Sequence, residues 1–153
     1  MHDALMVVKD VIETPKIVYG GGSPEAYVAL KLRDWSKSLS GREQLAVEKF
    51  ADALECIPLA LARNAGMNSI DSITQLRAKQ NAGEHFTGVD VINETIADFE
   101  KLGIVEPLKV KEQIIKSATE TANMILRIDN VIAVSRSVSP EPPQGMPPGG
   151  GMY

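Results

Sequence analysis

Val18-Tyr19-Gly20-Gly21-Gly22-Ser23-Pro24 is the stretch on which the reading of this chain turns. A short apolar run, Ile17 to Tyr19, reads as extended backbone, and three glycines follow. A helix then opens at Ser23, with the serine as N-cap and Pro24 at the first helical position. Glycines between a strand and a helix let a ligand approach the backbone closely and leave N–H groups open at a helix N-terminus. A nucleotide is a natural guest for such a loop. The motif is neither G-x-G-x-x-G nor G-x-x-x-x-G-K-S/T, so on spacing alone a plain turn between two elements is the default reading.

Outward from this loop the chain is mainly helical. Residues 3 to 13 place Leu5, Val8 and Ile12 on one stripe, and Pro15 ends that segment. The helix from Ser23 carries Val28, Leu32 and Trp35 as its apolar stripe. Ser40 and Glu43 read as a capping box for a third helix, with Val47, Phe50, Leu54 and Ile57 inward. Pro58 is expected to break or kink it, and Leu59 to Asn64 to continue as a short piece stopping at Gly66. Residues 69 to 79 fit another helix through Ile70, Ile73 and Leu76. Val89-Asp90-Val91 alternates weakly, as a strand or hairpin arm, and Ile96 and Phe99 give a helical turn or the second arm. Pro107 suits the first position of a long helix capped by Glu106 and running to Arg127 or Asp129. That helix is apolar on more than one side, which predicts burial against two neighbours. Val131 to Val134 reads as a last strand that needs a partner elsewhere.

From Val138 onward the composition changes: five of the nine prolines and four of the twelve glycines lie there, in a tail expected to be disordered. The expected fold is therefore a helical bundle over roughly residues 2 to 137, with a small β-hairpin and a C-terminal strand.

Composition excludes several functions. With 44% hydrophobic and 24% charged residues the chain has ordinary globular usage, and it contains no apolar run of membrane-spanning length. A formal charge of −4 argues against nucleic acid as a partner. A single cysteine, Cys56, cannot form an intrachain disulfide and reads as a small core residue, and two histidines, His2 and His85, are too few for a Cys/His metal site. No secretory signal is visible, and a reducing, cytoplasmic compartment is expected. Asp3, Asp90 and Glu106 stand at element edges, where carboxylates accept sugar hydroxyls, hold Mg²⁺ or orient water. Their plain alternatives are a favourable charge in a first helical turn, a solvent-facing group and a helix cap. The Arg33, Lys37 and Arg42 region reads as a solvated face.

Longer blocks carry a resemblance. His2-Asp3-Ala4-Leu5, Val18 to Gly22, Leu39-Ser40-Gly41-Arg42-Glu43-Gln44-Leu45-Ala46 and Val105-Glu106-Pro107-Leu108-Lys109-Val110-Lys111 follow in order. Ala51 to Glu55 with Ile57-Pro58, Asn64-Ala65-Gly66 and Ile125 to Asp129 extend the series. Together they resemble group II chaperonin subunits of the archaeal thermosome type, across essentially the whole chain. Two stretches depart from the family pattern. Asn68-Ser69-Ile70-Asp71 stands where an Asp-Pro-Ile-Asp-like sequence is common, and Asn93-Glu94-Thr95 replaces a Thr-Gly-Glu-like turn.

The resemblance implies a fragment of an ATP-dependent folding machine. Residues 1–16 correspond to the end of an intermediate domain, 17–137 to the C-terminal half of an equatorial ATP-binding domain, and 138–153 to a tail. It implies ATP or ADP with Mg²⁺ as ligand, the phosphate-binding G-D-G-T-T-type loop being in the other half. It implies unfolded client proteins and other subunits of a double ring as partners. By the same resemblance, Asp3 helps activate the attacking water, and Gly20, Gly21 and Gly22 lie at the ribose and base. Asp90 and Val91 belong to the adenine segment. Ile104 and Glu106 match the segment whose acid accepts the ribose hydroxyls. No metal ligand is assigned to the chain, and ATPase activity is expected of a full-length subunit, with negligible hydrolysis by these residues alone. The alternative is a stand-alone helical interaction module of chaperonin descent without ATPase activity.

Overall fold

The computed structural model describes residues 1–129. The expected strand at Val131 to Val134 and the tail from Val138 lie outside the described residues. In chain order the elements are α1 (His2–Glu13), β1 (Ile17–Tyr19), α2 (Ser23–Ser36), α3 (Gly41–Asn64), α4 (Ser69–Asn81), β2 (Thr87–Asp90), β3 (Thr95–Asp98), α5 (Phe99–Leu102), β4 (Val105–Pro107) and α6 (Leu108–Leu126). The class is mainly α with two small antiparallel strand pairs, β1 with β4 and β2 with β3. Met1–Ser117 forms one unit, and a second begins at Ala118.

The core of the first unit is the approach of α2 to α3, and small residues make it possible. The buried positions of α2 are Ser23, Glu25, Ala26, Ala29 and Ser36, whereas Val28 and Trp35 of the expected stripe are exposed. Ala29 packs with Ala51 and Leu54 of α3; Ala26 packs with Ala62, Leu76 of α4, and Val89 and Ile96 of the hairpin. Two helices that meet through alanines bring their axes closer than bulky side chains permit. The contact face is then set by the smallest residues rather than by the most hydrophobic ones.

Pro58 follows the same logic. It neither breaks nor ends the helix: α3 runs through it to Asn64. Proline removes one intrahelical hydrogen bond, but Pro58 is fully buried against the start of α2. A Cβ on Gly22 would stand only 3.0 Å from the Pro58 Cβ. Packing offsets the lost bond.

Other expectations are corrected. Ser40 precedes α3 but makes no side-chain cap bond, so the capping box does not form. Glu106 and Pro107 belong to β4, and α6 begins one residue later. No residue of α6 is buried, and Ile114, Met124, Ile125 and Leu126 are exposed, so the expected burial against two neighbours is not met among the described residues. Cys56 is exposed, because it lies on the side of α3 turned away from α2. Arg33 is not part of a solvated face. It donates to both carboxylate oxygens of Glu55, at 2.9 Å and 2.7 Å, and to Asp52 at 2.7 Å. Arg77 of α4 closes on Glu55 from the other side. Glu55 is buried, and such a carboxylate is tolerable only when paired in this way.

Both departures from the family pattern keep their local jobs. The Asn68 side chain caps α4, accepting from the Ile70 N–H at 3.0 Å and the Asp71 N–H at 3.4 Å. The hairpin closes with Asp90 opposite Thr95, and Glu94 takes a left-handed φ of 51°. A side chain at positive φ costs energy that glycine avoids. Glu94→Gly is expected to raise stability by about 0.5–1 kcal/mol, read as a higher midpoint in urea unfolding.

Candidate functional site

The glycine loop is packed against β4, α5, β2 and Pro58 of α3. The Gly20 N–H donates to the Ile104 carbonyl at 3.1 Å, and the Val89 N–H donates to the Gly21 carbonyl at 2.8 Å. A Cβ on Gly21 would lie 2.2 Å from the Phe99 ring, and one on Gly20 would lie 3.1 Å from Ile104 Cγ2 and 3.3 Å from Glu106 Oε1. Gly88 is as constrained, since its Cβ would meet the Gly21 carbonyl oxygen at 2.9 Å. Gly21 and Gly22 both adopt left-handed φ, 67° and 70°. Gly21 and Gly22 are therefore required by space and by backbone conformation together, while Gly20 is crowded by the Ile104 and Glu106 side chains alone. The amides of Gly21 and Gly22 have no protein acceptor among the described residues.

The support of this loop comes from the chain around it. Buried Gln80 of α4 donates to the Ser23 carbonyl at 3.1 Å and the Thr87 carbonyl at 3.2 Å, tying the start of α2 to β2. Ser23 Oγ donates to the His85 carbonyl at 3.1 Å. The Tyr19 ring packs on Phe86 at 4.6 Å. The β1–β4 pair sets Val18 opposite Glu106 and so delivers the acid beside the glycines.

Glu106 is part of a charged triad. Lys111 of α6 stands 2.7 Å from Glu106 Oε2 and 2.8 Å from Glu25 Oε1. Burial alone lowers the pKa of the Lys111 ammonium, but hydrogen bonds and charge from Glu106 and Glu25 outweigh it and hold the group above the usual lysine value. Glu25 is buried, and its second oxygen has no partner. Neither Lys111 nor Glu25 stood out in the sequence. The only available signal was the position of Glu25 in the first turn of α2 and of Lys111 in that of α6.

The expected site residues separate into three groups. Gly20, Gly21, Gly22, Ile104 and Glu106 converge. Asp90 ends β2, whose Gly88 and Val89 contact the loop, and Val91 follows it, but Asp90 is buried and does not face solvent. Its carboxylate accepts from the Ile92 N–H at 2.9 Å, the Asn93 N–H at 3.2 Å and the Asn93 side chain at 2.7 Å. The Asn93 side chain, then the backbone donors, hold its carboxyl below the ordinary range. Val91 is exposed. Asp3 is not brought to the loop: it lies exposed in the first turn of α1, which meets the rest of the unit near its other end, where Lys109 holds Asp10 at 2.7 Å and Glu13 at 3.0 Å. No group of three His, Cys, Asp or Glu side chains placed to share a metal ion occurs among the described residues.

With this geometry in view, the comparisons agree. The TCP-1/cpn60 chaperonin family model matches residues 1–136. The chain is 52% identical over 145 residues to thermosome subunit alpha of Archaeoglobus fulgidus, covering 95% of this chain and 27% of that relative. It is 53% identical over 133 residues to the thermosome subunit of Methanopyrus kandleri, covering 87% of this chain and 24% of that one. Among solved structures, the open-state monomer of a group II chaperonin from Methanococcoides burtonii superposes with a TM-score of 0.78 at 47% identity, over 83% of this chain and 32% of that one. The chain belongs to the TCP-1/cpn60 chaperonin family, on the group II side. It spans about a quarter of the length of these thermosome relatives, 27% and 24%. No helix among the described residues is long and apolar enough to cross a membrane.

Two outcomes test the site's construction. Gly21→Ala is expected to destabilise the chain by about 2 kcal/mol or more, because it adds both positive-φ strain and a clash with Phe99. Gly41→Ala, at a similar φ of 67° in open space, is expected to cost about 1 kcal/mol. Because the Asp90 pKa is depressed in the fold, its contribution to stability is complete above the ordinary carboxylate range and lost as pH falls through the lowered value. The amide resonances of Ile92 and Asn93 should therefore hold their positions through the ordinary aspartate range and move together only below it.

Proposed function

We propose that the chain forms part of an ATP-dependent protein-folding chaperonin, with 17–137 as the C-terminal half of its equatorial nucleotide-binding domain and 1–16 as the end of its intermediate domain. The observation that carries this is the meeting of the Gly20–Gly22 loop with Ile104 and Glu106, the Glu106 Oε1 atom lying 3.3 Å from where a Gly20 side chain would begin. An adenine nucleoside laid on that bare backbone puts its ribose hydroxyls within reach of a carboxylate. A side chain on Gly20 would crowd the same Glu106 oxygen.

The division of labour follows from the chemistry. Phosphoryl transfer depends on positioning and on stabilising charge over the phosphates and metal. These residues hold base and sugar, Asp90 by shaping the hairpin loop and Val91 by its apolar surface. Residues outside this chain hold phosphates and Mg²⁺. Asp3, exposed on α1, orients the attacking water once α1 is set over the nucleotide in a complete subunit. The uncovered apolar side chains Leu5, Val8 and Ile12 of α1 and Ile114 of α6 fit docking against the rest of such a subunit in a cytoplasmic ring that receives unfolded clients.

The test is native mass spectrometry of the chain with ADP, adenosine and Mg²⁺, alongside Glu106→Gln. The reading expects weak one-to-one adducts with ADP and adenosine, depleted about tenfold or more in Glu106→Gln, and no measurable hydrolysis of ATP. Adducts of equal strength in both proteins contradict the ribose assignment. A stable dimer indifferent to nucleotide favours the interaction module without ATPase activity.

A further inference from the structure

The carboxylate assigned to the ribose is not free to choose its orientation. Its Oε2 atom is bound by Lys111 at 2.7 Å, while its Oε1 atom lies beside Gly20. Lys111 is in turn anchored at 2.8 Å by Glu25, a buried residue of the helix that the glycine loop opens. The triad thus runs from the first turn of α2, through the ammonium in the first turn of α6, to the acid on β4. Each member comes from a different element: α2 opens directly after the loop, and β4 pairs with the strand that leads into it.

From this juxtaposition we infer that Lys111 is a positioning residue for nucleotide binding: it clamps one oxygen of Glu106 so that the other is presented to the ribose hydroxyls, with Glu25 as the anchor that holds the clamp. The inference rests on the nucleotide reading above. Its physical content is a division of one carboxylate between two tasks. A free glutamate half-exposed to water samples several rotamers, and ordering it on ligand arrival costs binding energy. Here the ordering cost is met within the folded chain. The ammonium also offsets the repulsion between Glu106 and Glu25, which would otherwise turn the acid away from the loop. Lys111 touches no ligand atom in this account.

Glu25 fits the role of anchor better than that of a plain surface partner. It is buried, one oxygen is spent on Lys111, and the other has no donor. Without the lysine, a buried carboxylate would be left without a countercharge, so Lys111→Met is expected to weaken folding as well as binding. The informative readout is therefore a ratio of two affinities in the same protein, which a uniform loss of folded chain does not change.

The experiment measures affinities for ADP and for 2′,3′-dideoxy-ADP by chemical-shift titration of the full chain and its variants. In the unaltered chain ADP is expected to bind about tenfold tighter, the worth of hydrogen bonds to a charged acceptor. Lys111→Met should bring that ratio to within about twofold of one, and Lys111→Arg, which can still bridge two carboxylates, should restore most of it. In the Glu106→Gln background, Lys111→Met should change the ratio no further. If Lys111→Met does not fold, Glu25→Gln carries the test, with an expected fall in the ratio of about threefold. A full ratio in folded Lys111→Met, or in folded Glu25→Gln, overturns the inference while leaving the ribose assignment standing. Equal affinities for the two ligands in the unaltered chain overturn the ribose assignment itself, and the inference with it.

Discussion

The Phe99 ring stands where a Gly21 side chain would be, and much of the arrangement around the loop depends on that fit. The ring comes from α5, directly after the hairpin, so the loop, the hairpin and the α5–β4 turn are locked by one aromatic group against bare backbone. The bond from the Val89 N–H to the Gly21 carbonyl adds direction to a contact that packing alone leaves free to slide. On the opposite side Pro58 fills the space left by Gly22. A proline that costs one helical hydrogen bond is retained because it is the surface on which the loop rests.

That support explains how a chain dominated by helices can offer a ligand a piece of open backbone. Left-handed glycines are conformationally costly to order and are usually mobile. Here two antiparallel strand pairs and a buried glutamine hold them from several sides at once. The open amides of Gly21 and Gly22 are what remains after every other group of the loop has a neighbour. The acid on β4 and the ammonium on α6 complete the polar side, so apolar packing and charge placement converge on the same few residues.

Much of this was legible in the sequence. Ser23 and Pro24 marked the start of α2, the glycines marked a turn of special backbone, and Val89 to Val91 marked a strand or hairpin arm, with Ile96 and Phe99 open between a second arm and a helical turn. Their signals are local: caps, breakers and alternation depend only on neighbouring residues. What escaped depended on contacts distant in the chain. The buried face of α2 has little hydrophobic signal, because Ala26 and Ala29 form it and the closeness of α3 selects them over Val28 and Trp35. Helix-breaking by Pro58 is a local rule, and the packing on Gly22 that overrides it comes from 36 residues away. The partial burial of Arg33 has no local signature, because its partner Glu55, shared with Arg77, lies 22 residues away. Glu106 looked like a cap because strand pairing with Val18 has no local signature. Spacing alone favoured a plain turn at the glycines; family resemblance directed attention to a nucleotide. Asp3 is legible as an edge carboxylate, its role at the attacking water comes only from that resemblance, and it lies at the end of α1 away from the Lys109 ion pairs with Asp10 and Glu13.

Amide hydrogen exchange, followed residue by residue with and without Mg-ADP, addresses the central claim that a rigidly held glycine loop is the nucleotide's seat. The account predicts that Gly20 and Val89, bonded to Ile104 and Gly21, exchange as slowly as the core around Leu76. It further predicts that Gly21 and Gly22 exchange quickly in the free chain and slow down when the nucleotide binds. Fast exchange at Val89, equal to that of the exposed turn at 91–94, or exchange at Gly21 and Gly22 that is indifferent to nucleotide under conditions where it binds, would contradict it.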